Sequence, residues 1–187
     1  MFNSVAVFCG SKIGNDPLYA QHAKEVGILI AQQNITLIYG GGMGGLMGIV
    51  ANAVLENKGK VIGVIPEMLN SRELQHEGLT ILHVVADMHV RKKMMYDLCD
   101  AAIILPGGTG TLDEMFEIVT WNNLTIHDKK IILLNSAGYY NLLIGHINQM
   151  QTQGFLYDDW RKTLMIYETP DAIFAGWDAD KNQNLRG

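Results

Sequence analysis

Short, continuously apolar runs alternate with longer segments of helical period along most of the chain. Val5-Ala6-Val7-Phe8, Thr36 to Tyr39, Val61 to Ile65, Thr80 to Val85, Ala101 to Leu105, Lys130 to Leu134 and Thr163 to Tyr167 predict seven strands. Runs of this kind suit strands covered on both faces. Asp16-Pro17 predicts the start of a helix reaching Gln33, with Asp16 as N-cap and proline in the first turn. A second helix follows the glycines at 40–45 and ends near Asn57, closed by Lys58-Gly59. Asp87 caps a helix to about Leu98, and Met115, Ile118, Val119 and Trp121 share one side of the next. Tyr139 to Gln153 is helical, and a short helix follows Pro170. The stretch from Pro66 to Gly78 is polar and irregular with one short helical turn, and a polar tail from Asp178 is expected to fray.

Repeated strand–helix units predict an α/β fold, a Rossmann-like doubly wound parallel sheet with helices on both faces. The expected strand order is 3-2-1-4-5-6 with a seventh strand, and the ligand crevice lies at the carboxyl ends where the order reverses. In that order the ends of strands 2, 1, 4 and 5 carry, respectively, the glycines at 40–45, Cys9-Gly10-Ser11, Asp87 to Lys92, and Pro106 to Glu114. The unusual loops thus gather around one crevice, which scattered structural turns would have no reason to do.

The most informative loop is Leu105-Pro106-Gly107-Gly108-Thr109-Gly110-Thr111-Leu112-Asp113-Glu114. Three glycines and two threonines stand between strand and helix. Glycine lets the backbone approach a ligand closely. Thr109 and Thr111 add hydroxyls beside the free N–H groups of a helix start, a ready site for one phosphate. Glu114 is expected in the first turn of that helix. A plain tight turn would need fewer glycines and no acid.

Composition narrows the possibilities. The 187 residues are expected to make one domain with a full core. A net charge of −5 gives no electrostatic case for nucleic acid or an anionic membrane, so any anion site must be local. Cys9 and Cys99, the only cysteines, form no CxxC pair and suggest neither disulfides nor zinc. No basic leader or membrane-length apolar stretch is evident, so a cytoplasmic protein is the default.

Each candidate has a plainer reading. Gly40, Gly42 and Gly45 spell GxGxxG, with Glu67 near the place of a ribose-binding acid, which suggests a dinucleotide. That pattern follows the second strand rather than the first, and a glycine-dense stretch matches many templates. There is no GxxxxGK[ST] and no HExxH or GxSxG spacing. The six histidines and most methionines suit surface and core. Arg91 and Lys92 would sit in the early turns of a helix at the crevice edge. Alone they suit a solvated face; opposite Glu114 they suit contact with a phosphate or a developing anion. A carboxylate near a sugar can stabilise oxocarbenium-like charge or position water.

These motifs together resemble the Lonely Guy (LOG) family of cytokinin-activating phosphoribohydrolases, long mislabelled as lysine decarboxylases. Its PGGxGTxxE motif matches Pro106 to Glu114, its GGGxxGLMG element Gly40 to Gly48, and its MxxRK segment Met88 to Lys92. The opening VFCGS, the VIGVIP strand and the late GYY also agree, so the resemblance spans nearly the whole chain. It implies hydrolysis of the N-glycosidic bond of a nucleoside 5′-monophosphate, AMP or N6-prenyl-AMP, without cofactor or metal. By position it implies Arg91 and Glu114 as the catalytic pair. Gly107, Gly108, Thr109, Gly110 and Thr111 would hold the phosphate, with Ser11, Gly44, Met88 and Lys92 near base or ribose. Asp113 replaces a glutamate frequent in relatives. The competing class is a nucleotide-binding sensor without turnover, against which intact Arg91 and Glu114 argue. A homodimer is also expected, because Met94, Met95, Tyr96, Met115, Phe116 and Trp121 exceed what one face of each helix should bury.

Overall fold

The computed structural model describes residues 2–70, 76 and 78–184. The strands are β1 (Ser4–Phe8), β2 (Thr36–Tyr39), β3 (Val61–Pro66), β4 (Ile81–Val85), β5 (Ala101–Ile104), β6 (Lys130–Leu134) and β7 (Leu164–Tyr167). The helices are α1 (Pro17–Gln32), α2 (Gly45–Glu56), α3 (Glu67–Asn70), α4 (Met88–Leu98), α5 (Thr109–Asn123), α6 (Asn141–Thr152) and α7 (Pro170–Asn184). The backbone of α7 runs past residue 178, where the sequence places a polar tail; residues 185–187 lie outside the described ones. Most of the irregular stretch expected between Pro66 and Gly78 also lies outside them, apart from the short helix α3.

Local chemistry explains the boundaries. Asp16 Oδ1 accepts from Leu18 N–H, and Asp87 Oδ1 accepts from the N–H groups of His89 and Val90, each as the N-cap reading requires. Helix α2 closes with Lys58 rather than Gly59 in the left-handed region, at φ 61°. Helix α6 starts at Asn141, not Tyr139. Ala137 and Gly138 take φ of 52° and 70° and break the chain into a turn first.

All seven strands are parallel, in the order β4-β3-β2-β1-β5-β6-β7. Side chains alternate between two cores. Val5, Val7 and Cys9 of the first strand region face α1, α2 and α7, whereas Ala6 and Phe8 face α4, α5 and α6.

The strand order differs from the expected one at β4. This strand pairs outside β3, Ile62 opposite Ile81 through Pro66 opposite Val85, and is the sheet edge. The winding runs outward by one more unit before it returns, so β5 pairs with β1, Val5 opposite Ala101. Edge position explains why Ile81 and Val84 are both 46% exposed. Because β4 is three strands from β1, α4 must cross back over β3, β2 and β1 on its way to β5, and it packs on all three. Arg91, one turn into α4, lies against β3 and the end of β2, beside Val64 O and Gly40. The reversal point, between β1 and β5, is where the chain opens a crevice.

Candidate active site

Helix α5 leaves the crevice from Gly108, its N-cap. No side chain caps it. The first N–H groups of a helix have no intrahelical acceptor, and the dipole adds positive potential there. The loop before it is pulled tight: Gly10 N–H donates to Pro106 O at 3.0 Å. A Cβ at Gly107 would stand 2.1 Å from Thr111 Oγ1 and 2.9 Å from Gly10 N, so only glycine fits. Thr111 is buried, while Gly108, Thr109 and Gly110 are exposed toward an incoming ligand.

Beside this helix start is a cleft of about 360 Å³, lined by residues 10–14, Tyr19, Leu46, Pro106, Gly107, Gly108 and Tyr139. Ser11 lies in it. Gly44 is the N-cap of α2, also without a side-chain cap, and its Cα faces Ser11 O. Two uncapped helix starts therefore flank the end of β1.

Arg91 of α4 and Glu114 of α5 meet side chain to side chain. Arg91 Nη1 donates to Glu114 Oε1 at 2.8 Å, and Arg91 Nε donates to Val64 O at 3.1 Å. Both side chains are about nine-tenths buried. The glycine cluster makes room for the guanidinium: a Cβ at Gly40 would lie 2.2 Å from Arg91 Nη2. This gives Gly40 a local purpose without a dinucleotide. Glu114 is in the second turn of α5, not the first, roughly 7 Å of helix rise beyond Thr109. Burial pushes its carboxyl pKa up; the Arg91 charge and hydrogen bond oppose that without cancelling it. Cys9, at the end of β1, is raised by burial and by the Glu114 carboxylate, so it stays a protonated thiol and no nucleophile.

Lys92 is buried between two carboxylates of α5. Its ammonium binds Glu117 Oε2 at 3.0 Å and Asp113 Oδ2 at 3.2 Å, and it clamps α4 to α5. Those two carboxylates outweigh burial and raise its pKa. Tyr96 Oη donates to the same Glu117 oxygen at 2.9 Å, with Glu114 O at 3.2 Å. Met88 opens α4 one turn before Arg91, on the same side of the helix.

The sequence reading missed Glu117, Tyr96 and Tyr139. Glu117 follows Glu114 at i+3, so a shared helix face was legible, but its lysine partner was not. Tyr139 was visible as half of a Tyr-Tyr pair after glycine, without a role. Its hydroxyl donates to Gly107 O at 2.6 Å.

The chain is similar to several known proteins. A family model described as possible lysine decarboxylase matches residues 47–176. A cytokinin riboside 5′-monophosphate phosphoribohydrolase of Rhodococcoides fascians is 46% identical over 173 residues, which is 92% of this chain and 87% of that protein. One of the same name from Arabidopsis thaliana is 47% identical over 155 residues, 83% of this chain and 73% of the other. Among solved structures, a molybdenum cofactor binding protein of Rippkaea orientalis superposes with a TM-score of 0.71 at 19% identity, covering 96% and 97% of the two chains. At that identity the likeness shows a shared fold alone.

Proposed function

Because this chain belongs to the cytokinin riboside 5′-monophosphate phosphoribohydrolase (LOG) family, we propose that it hydrolyses the N-glycosidic bond of adenosine 5′-monophosphates, N6-modified ones included. The products are the free base and ribose 5-phosphate. The observation that carries this reading is the buried ion pair between Arg91 of α4 and Glu114 of α5, with Glu114 on the same helix as an uncapped N-terminus. The phosphate binds at the start of α5, and the ribose extends along the helix toward Glu114. A separation of roughly 7 Å along the axis suits the span from a 5′-phosphate to an anomeric carbon.

Glu114 stabilises positive charge on the ribosyl group and accepts a proton from the attacking water. Burial disfavours the charged carboxylate, and Arg91 opposes that in part through its charge and hydrogen bond; in this reading Arg91 also faces the departing base. Decarboxylation through a lysine Schiff base does not suit Lys92. Such a lysine needs a lowered pKa, and Lys92 is held charged by two carboxylates.

The test is turnover of AMP against adenosine. A nucleoside leaves the oriented N–H groups of the loop unpaired, so kcat/KM for adenosine should be lower by on the order of 10³ or more. Comparable turnover of the two would overturn the phosphate site.

The protein works as a homodimer in the cytoplasm. The surplus of large residues that suggested a dimer is partly absorbed within the chain, since Met95, Tyr96 and Met115 are fully buried. The support lies elsewhere: Met68, Ile81, Val84 and Val90 are 43–64% exposed on α3, β4 and the start of α4. Two buried free thiols, Cys9 and Cys99, suit a reducing compartment. Light scattering at micromolar concentration should give twice the chain mass, and a monomer mass would refute the dimer.

A further inference from the structure

The loop that starts α5 has every carbonyl tied down. Tyr140 Oη donates to Leu105 O at 2.7 Å, and Gly10 N–H donates to Pro106 O at 3.0 Å. Tyr139 Oη donates to Gly107 O at 2.6 Å, and Leu112 N–H donates to Gly108 O at 3.1 Å. Two adjacent tyrosines therefore grip carbonyls two residues apart. Their roles differ. Tyr140 is 2% exposed and belongs to the core, whereas Tyr139 is 44% exposed at the lip of the cleft.

The Gly107–Gly108 peptide is trans, like every described peptide bond. In a trans peptide the C=O and the following N–H point in opposite directions. Holding Gly107 O toward Tyr139 therefore turns Gly108 N–H the other way. Both flanking residues are glycines, so neither has a side chain that restrains this peptide, and a Cβ at Gly108 would meet nothing within 4 Å.

The turn that presents Tyr139 is itself held. Asn135 Oδ1 accepts from Tyr140 N–H at 2.8 Å, and Asn135 Nδ2 donates to Asn141 Oδ1 at 2.9 Å. The fully buried Ser136 Oγ lies 2.8 Å from His22 Nδ1. The Tyr139 ring packs edge-on against Tyr19 at 5.5 Å and Tyr140 at 4.8 Å.

We propose that Tyr139 is a positioning residue for the 5′-phosphate: its hydroxyl fixes the Gly107 carbonyl and thereby aims the Gly108 N–H at the phosphate oxygens. This rests on the monophosphate reading above and adds to it a residue outside the loop. Tyr139→Phe keeps the ring and its contacts and removes only the hydroxyl.

The experiment measures AMP and adenosine binding by calorimetry in Glu114→Gln protein, with and without Tyr139→Phe, beside steady-state kinetics in the Tyr139→Phe single variant. The expected result is AMP affinity lower by on the order of tenfold, adenosine affinity unchanged, and KM for AMP raised with kcat within a few fold. Unchanged AMP affinity overturns the proposal. So does equal weakening of AMP and adenosine, which marks a merely structural role. If the wild-type protein binds AMP but releases no base, the hydrolase reading fails, while selective loss of AMP affinity in Tyr139→Phe still upholds the positioning role.

Discussion

Replacing Glu114 with glutamine will leave AMP binding nearly intact and lower hydrolysis by on the order of 10²–10⁴. The two properties separate because different atoms of α5 supply them. In the proposed site the phosphate is held by backbone N–H groups and threonine hydroxyls at the helix start, none of which needs the Glu114 carboxylate. A carboxylate repels a phosphate, so its loss can even tighten binding slightly. The transition state is different: positive charge builds on the ribose, and water must be aimed at the anomeric carbon. An amide of the same size still accepts from Arg91 Nη1 but carries no charge and takes no proton. Calorimetry with AMP and a base-release assay read the two effects independently. A near wild-type rate would remove Glu114 from the chemistry; loss of all binding would give it to the ribose hydroxyls or the loop.

The pH profile follows from the same environment. Burial raises the Glu114 pKa, and Arg91 only partly opposes it. The carboxylate is the active form, so activity falls as pH drops through a folded-state pKa that lies above the 4.5 typical of glutamate. The acid limb of kcat/KM should therefore stand above the ordinary glutamate range.

Removing Arg91 will cost both activity and stability. Arg91→Ala strands the Glu114 carboxylate in a nearly dry site. Breaking one partner from a buried ion pair costs about 3–5 kcal/mol. The stranded carboxyl then titrates higher still, since the Arg91 charge was lowering it. Turnover should fall by on the order of 10³, with the acid limb moved further up and a clear drop in melting temperature. Arg91→Lys keeps the charge but loses the fork that spans Val64 O and Glu114 Oε1 at 3.1 and 2.8 Å. It should fold close to normally and lose on the order of 10² in rate. The double variant Arg91→Ala with Glu114→Gln should recover part of the lost stability, because no buried charge is left unpaired. Near wild-type turnover by Arg91→Lys would mean that charge alone suffices.

Much of this was legible in the sequence. The apolar runs gave the strands, and Asp16 and Asp87 marked two helix starts through local hydrogen bonding that needs no tertiary context. The glycine-rich turn from β5 into α5 was legible for the same reason, since strand, glycines and helix start are contiguous. The position of β4 was not. Periodicity locates a strand but does not say at which strand the winding reverses. A hint lay in Thr80 and His83, polar residues that a fully covered strand would not carry. Arg91 was expected at the crevice because β4 was expected beside β1. It lies instead against β3 and the end of β2, where its guanidinium meets Val64 O and fits beside Gly40. The partners of Lys92, Asp113 and Glu117, were not legible, because they come from a helix whose packing against α4 is fixed only by the fold.

The measurement that tests the account most directly is chromatography of purified protein incubated with AMP and with N6-isopentenyl-AMP. The account predicts free base and ribose 5-phosphate in equal amounts, with no nucleoside and no inorganic phosphate. Release of nucleoside plus phosphate, or nucleotide recovered intact while bound to the protein, would contradict it.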